Sequence, residues 1–348
     1  MSNKTIAGNF FEDFAIGQVL EHATPRTITS GDVSLYTALY GPRFAANSSD
    51  EFARSLGFPQ APIDDFLAFH MVFGKTVPDV SLNAVANLGY ANGRFGAPVY
   101  PGDTVSTTST VTGLKENSNG KTGVVYVNSV GRNQNGEMVL DYTRWVMVHK
   151  GDLDAMTPEP IVPNLPETVA TAELVLPEVS MANYNYLLAG SPFRWGDYEV
   201  GEKIDHVDGM TIEEAEHMLA TRLYQNTAKV HFDQYAANSG RFQRRLIYGG
   251  HIISLARALS FNGLANAFKV LAINAGSHSN PTFAGDTIYA YSEVLEQIEL
   301  DSSDLGALRL RLVATKDHPA ADFPLRGEDG KYDPAVVLDL DYTVALPR

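Results

Sequence analysis

Tyr100-Pro-Gly-Asp-Thr-Val105 returns 183 residues further on as Phe283-Ala-Gly-Asp-Thr-Ile288. A second pair keeps nearly the same spacing. Phe11-Glu-Asp-Phe-Ala-Ile-Gly17 and Trp195-Gly-Asp-Tyr-Glu-Val-Gly201 lie 184 residues apart and share the pattern aromatic-x-Asp-aromatic-x-apolar-Gly. Two independent matches at almost one offset indicate a duplicated unit of about 180 residues, not a solenoid of short repeats.

Each Gly-Asp turn opens a β-rich tail. Residues 104–111 are β-branched and alternating, and Asn/Gly turns at 117–120 and 133–136 separate them from the apolar runs 123–130 and 138–148. Three strands joined by short turns predict an antiparallel meander. The second copy repeats it over 287–300, 308–316 and 335–345, with an irregular Pro/Asp/Gly-rich insert from His318 to Asp333. Ahead of each meander the apolar spacing changes to that of a helix, over 66–74 and 251–264, with smaller helices predicted over 30–40 and 212–224. One apolar helix per copy, wrapped by an antiparallel sheet, predicts an α+β fold of the hot-dog type, and two per chain a double hot dog. The expected division is a first unit over 1–150, a proline-rich linker over 151–182, and a second unit over 183–348.

Composition narrows the function. The 348 residues are 44% hydrophobic and 19% charged, which excludes a disordered or coiled-coil chain. Acids outnumber bases 41 to 26, for a net charge of −15, which argues against a nucleic-acid binder but leaves room for local arginines holding a small anion. The absence of cysteine removes disulfides, thiolate nucleophiles and Cys-ligated metals. The start Met1-Ser-Asn-Lys-Thr-Ile-Ala-Gly-Asn-Phe10 carries no apolar secretion segment, and no run approaches the ~18 apolar residues of a membrane span. A cytoplasmic protein that meets neither membrane nor nucleic acid is expected. No phosphate-binding loop, zincin motif or nucleophile elbow is present, so no metal or cofactor is expected.

Two segments can carry chemistry. In Tyr224-Gln-Asn-Thr-Ala-Lys-Val-His231-Phe-Asp233, Asn226 and His231 sit five apart on irregular backbone. A histidine there can exchange protons with water while an amide orients it. A structural, hydrogen-bonded histidine would leave the same trace. Tyr248-Gly249-Gly250-His251 opens the long helix, where glycines let a ligand approach and free N–H groups can hold a developing oxyanion; a tight turn is the plain alternative, and His251 reads as a helix-start residue. Arg244 and Arg245 just before it suggest phosphate or carboxylate binding, or simply a solvated loop. In the first copy, Asp64 and Asp65 at the equivalent entrance read as a helix cap.

These features together resemble the MaoC-like hot-dog hydratases, relatives of the R-specific enoyl-CoA hydratases. That family carries a loop Gly-Asp-x-Asn-Pro-x-His-x-Asp, then Pro-x-x-His-Gly at the central helix, then Pro-Gly-Asp. Here His231 and Asp233 match the loop, Asn226 stands where the family has its catalytic Asp, and Gly250 matches the helix-opening glycine with Gly249 in place of the histidine. The first copy has Pro42 and Asn47 at the Asp and His positions, so the resemblance implies one active copy and one that completes the pocket. It also implies cofactor-independent hydration of an enoyl-CoA thioester, with His231 and Asn226 holding the water and the Gly250 N–H on the thioester oxygen. Asp233 would assist if His231 does not move both protons. Gly249, Tyr248, Arg244 and Arg245 would contact substrate or CoA, and homodimers are compatible. A non-catalytic acyl-CoA-binding protein and a thioesterase remain alternatives.

Overall fold

The computed structural model describes residues 4–156 and 158–348. Met1, Ser2, Asn3 and Thr157, which belong to the expected leaderless start and to the linker, lie outside it. Among the described residues, eleven strands form one antiparallel sheet. They are β1 (Val19–Thr27), β2 (Ala84–Phe95), β3 (Thr104–Glu116), β4 (Thr122–Arg132), β5 (Met138–His149), β6 (Lys203–Asp205), β7 (Met210–Thr211), β8 (Lys269–Ser277), β9 (Thr287–Glu299), β10 (Leu305–Lys316) and β11 (Val336–Pro347). Their order is β1-β3-β4-β5-β2-β8-β11-β10-β9-β6, with β7 pairing β9. The second half of that order mirrors the first.

The repeated sequence pairs have clear structural jobs. Gly102 and Gly285 take φ of +103° and +96°, a region that glycine enters without steric cost, and their N–H groups bond to Ile28 and Ile212 carbonyls. The neighbouring aspartates close the turns, Asp103 accepting from the Tyr100 N–H and Asp286 from that of Phe283. Likewise Phe11 and Trp195 lie so close over Gly123 and Gly306 that a Cβ on either glycine would sit 2.3 and 2.4 Å from a ring carbon.

The six meander strands fall where the β-rich stretches and the repeat predict them. Five more strands, β1, β2, β6, β7 and β8, were not legible, and two of them matter most: β2 and β8 pair with each other and fuse the halves into one sheet. The seam needs small side chains, since a Cβ on Gly93 would lie 3.0 Å from that of Ile273.

The two long helices pack on the meanders of their own halves and on one another. The first, Asp65–Thr76, starts at Asp64, whose carboxylate accepts the Phe66 N–H at 2.8 Å. Phe66, Phe69 and Phe73 align on one stripe, yet the helix is buried all round because the other helix covers its far side. The second runs over Gly249–Leu259. The expected continuation to residue 264 fails, because Asn262 and Gly263 leave helical backbone, Gly263 with φ of +105°. Ser30–Tyr40 forms as expected, capped by Thr29 and ended by left-handed Gly41. Glu214–Leu223 is the helix preceding the Asn226–His231 loop. Among the described residues, no helix is long and apolar enough to cross a membrane.

Candidate active site

A cavity of about 270 Å³ opens between the Asn226–His231 loop, the start of the second central helix, β2 and the segment after β8. Asn226, His231, Tyr248 and Gly249 all line it. The two sequence motifs, distant along the chain, therefore share one wall.

His231 Nδ1 donates to the Leu246 carbonyl at 2.8 Å, which fixes the tautomer and leaves Nε2 as an unprotonated acceptor. Burial pushes its pKa down to about 4, partly offset by that bond, so the ring is neutral at physiological pH. Its face meets Tyr248 edge-on, with ring centres 5.7 Å apart. Asn226 is buried, and its Oδ1 accepts the Ala228 N–H at 3.0 Å, which leaves the two Nδ2 protons for a ligand. Tyr248 is the N-cap residue of the helix and supplies no side-chain cap; its carbonyl accepts the His251 N–H. The N–H groups of Gly249 and Gly250 belong to the first turn of that helix, where no intrahelical acceptor exists. Gly249 is on the cavity wall, with His278 against it, while Gly250 lies one residue deeper beneath the Tyr248 and His70 rings.

The remaining expected residues are elsewhere. Asp233 caps the short helix Gln234–Ala237, accepting the Ala236 N–H, and is not on the wall. Among the described wall residues there is no carboxylate at all. Arg245 pairs with Glu214, and Arg244 is an exposed residue that bonds the Ala284 carbonyl and lies over Phe283. Neither arginine lines the cavity. His251 is buried and accepts from Tyr40 at 2.9 Å, a structural role in keeping with its reading as a helix-start residue.

Two wall residues escaped the sequence reading. His278 lies over Gly249, with Nε2 3.3 Å from the Tyr90 hydroxyl and a pKa lowered by burial to about 4. Arg144, from β5 of the first half, is fully buried. Its signal was strand parity. Leu140, Tyr142, Val146 and Val148 share its side of β5 and are completely buried, so an arginine in that series must point inward.

The first half holds a filled version of the same place. Asn47 donates to the Pro62 carbonyl at 3.1 Å, as His231 does to the carbonyl of Leu246, the residue 184 positions after Pro62. Asp65, equivalent to Gly249, pairs with Lys269 and accepts the Val270 N–H. The space left among these groups is about 10 Å³. A wider hollow of about 590 Å³ adjoins Asn226 from another side and presents Lys75 and Arg222.

One arrangement mimics a hydrolase triad. Asp79, His22 and Ser109 are linked by bonds of 2.7 Å each. Ser109 is fully buried, however, and His206 with Ser292 repeats the pair in the second half. A duplicated, inaccessible contact is a structural tie between strands.

The fold and site together define a double hot-dog hydro-lyase of the MaoC-like type. Residues 197–314 match the family model described as MaoC like domain, and residues 2–177, half of the chain, match that described as Mesaconyl-CoA hydratase. The β-methylmalyl-CoA dehydratase of Chloroflexus aurantiacus is 67% identical over all of this chain and 99% of its own. The mesaconyl-CoA hydratase of Cereibacter sphaeroides is 62% identical over 99% of this chain and all of its own. The chain belongs to the mesaconyl-CoA hydratase family. Among solved structures, a MaoC domain protein from Chloroflexus aurantiacus superposes with a TM-score of 0.98 at 66% identity, covering all of this chain and 99% of that one. A Mycobacterium tuberculosis protein with a double hotdog fold reaches 0.78 at 23% identity, covering 99% of this chain and all of the other, which speaks to the fold alone.

Proposed function

We propose that the chain interconverts (2R,3S)-β-methylmalyl-CoA with mesaconyl-CoA and water, at a single site in its second half. The observation that carries the reading is His231: a neutral imidazole with a free Nε2, on the same cavity wall as the Asn226 amide and the helix start.

In the hydration direction, Asn226 donates to the water oxygen and His231 Nε2 accepts a water proton as that oxygen bonds to Cβ of the enoyl thioester. The electron pair of the double bond moves toward the thioester, whose oxygen takes hydrogen bonds from the first-turn N–H of Gly250, with Gly249 beside it. The imidazolium then returns its proton to Cα, so one water is added and His231 is neutral again. With no carboxylate on the wall, His231 moves both protons and Asp233 stays a helix cap. The reaction needs neither metal nor redox cofactor. Tyr248 closes the wall behind the thioester, and the pantetheine and phosphates run toward the loop bearing Arg244 and Arg245 or the hollow bearing Lys75 and Arg222.

The same reading implies a place in the ethylmalonyl-CoA route of acetate assimilation, in the cytoplasm. It allows a homodimer.

The test is incubation of the purified protein with mesaconyl-CoA, followed by mass spectrometry. Gain of one water at a catalytic rate supports the proposal. Release of free CoA would mean a thioesterase, and an unchanged thioester an acyl-CoA-binding protein; either overturns it.

A further inference from the structure

Arg144 is the sole permanently charged group on the cavity wall among the described residues. Its Nη2 donates to Thr76 Oγ1 at 2.7 Å and to Ser81 Oγ at 3.3 Å, its Nη1 reaches Asn87 Oδ1 at 3.5 Å, and its plane lies 4.3 Å over the Phe73 ring. These partners are all neutral. No carboxylate of the described residues pairs with it, and its Nε has no acceptor. Asn87, also on the wall, has a buried Nδ2 without a partner.

A guanidinium held away from water without a counter-ion is costly, and removing it from solvent is repaid only when an anion arrives. The planar fork of arginine matches a carboxylate in particular. Val77, Ala84, Tyr90 and Ile252 add apolar and aromatic surface to the same wall. That combination suits a short acyl chain ending in a carboxylate rather than a phosphate-bearing tail.

We infer that Arg144, together with the Asn87 amide, receives the free carboxylate of the acyl group and makes the site selective for dicarboxylic thioesters over simple ones. The inference rests on the cavity being the acyl-CoA site proposed above. Two anchors, the thioester oxygen at the helix start and the carboxylate at Arg144, then hold the double bond in one plane beside His231. The half without the histidine thus supplies the selectivity of the half that has it.

Binding of saturated analogues tests this without turnover. Succinyl-CoA carries the carboxylate and butyryl-CoA does not. Wild-type protein is expected to bind succinyl-CoA about 100-fold more tightly, the scale of a desolvated charge pair, and Arg144→Met to reduce that preference to within a few-fold. Asn87→Leu should narrow it several-fold and serves if Arg144→Met does not fold. Equal binding of the two analogues by wild type, no measurable binding of either, or an Arg144→Met variant with the preference intact overturns the inference. Failure to hydrate mesaconyl-CoA with succinyl-CoA still preferred would instead sink the proposed reaction and leave the carboxylate site standing.

Discussion

The phenol of Tyr224 donates to the phenol of Tyr40 at 2.8 Å, and these residues, 184 positions apart, are equivalents in the two repeats. A second equivalent pair at that separation, His70 and Ser254, is also joined, at 2.9 Å. The two halves thus meet along a buried polar seam threaded between the central helices. Tyr40 passes its own proton on to His251 Nδ1, and Tyr36 bridges Asp64 and Ser254. In such a setting an unmade hydrogen bond costs more than a made one contributes.

Tyr40→Phe and Tyr224→Phe should therefore differ. Loss of the Tyr224 hydroxyl removes one donor and leaves Tyr40 bonded to His251, at a cost of about 1 kcal/mol. Loss of the Tyr40 hydroxyl orphans both Tyr224 and His251, at a cost of about 2–3 kcal/mol. Denaturant midpoints of the two variants measure the order; the reverse order would contradict the direction of the chain.

The histidines set the response to acid. His206 and His251 are held neutral by burial, with pKa values of about 4 and about 3 against 6.5 in an unfolded chain. Their folded values are depressed, so the unfolded state takes up protons first. The stability they contribute is complete above pH 6.5 and falls by about 1.4 kcal/mol per pH unit per histidine as acid is added toward pH 4. Urea midpoints between pH 7 and pH 4.5 should fall accordingly, and a flat series is incompatible with buried neutral rings.

His231→Ala is expected to lower turnover of mesaconyl-CoA by at least about 100-fold, the scale of a lost general base. The wild-type rate should stay level from pH 8 to pH 6 with respect to this group and decline only as pH falls toward its pKa of about 4. A folded His231→Ala variant with near wild-type turnover would remove the histidine from the mechanism.

Asn226→Asp keeps the oxygen that accepts the Ala228 N–H and should fold. It places a titratable carboxyl beside the water, so both rate and pH profile should change. An unaltered profile would argue that the residue does not touch the water.

The Asp65–Lys269 pair occupies the first half's counterpart of the cavity, where about 10 Å³ is left. Asn47→His alone should leave one substrate bound per chain, counted by equilibrium dialysis with succinyl-CoA. Asp65→Ala should destabilise the fold by about 3–5 kcal/mol through the stranded lysine; a change below 1 kcal/mol would show that the pair is solvated.

Much of this molecule could be read from residues in order, and the gaps have physical causes. The meander strands stand out as β-branched or apolar stretches between turn residues, with 104–111 alternating, and each packs on a central helix. β2, with Ala84-Val-Ala-Asn-Leu-Gly-Tyr-Ala-Asn-Gly-Arg-Phe95, shows no such alternation. Gly89 lies under the Trp145 ring, and Gly93 faces Ile273 across the seam; small residues at close approaches erase the pattern that marks a strand. At the site, Asn226, His231 and Gly249 were visible because loop and helix start are local features. Arg144 and His278 reach the cavity through tertiary folding, and Arg244 and Arg245 drew attention as a cluster although one is exposed and the other is already paired.

The pairing of β2 with β8 bears on what the connecting segment is for. The described residues of 151–182 run mostly over the surface, but the pairing of Tyr90, Ala91, Gly93 and Arg94 with β8 holds the two halves whether or not that strap is intact. A protease nick in the strap should yield two fragments that travel together. Expressed singly, each would bear a raw sheet margin, Ala84–Phe95 on one and Lys269–Ser277 on the other, ready to zip onto any strand it meets. A single chain thus keeps together two halves for which solitude would carry a solubility penalty.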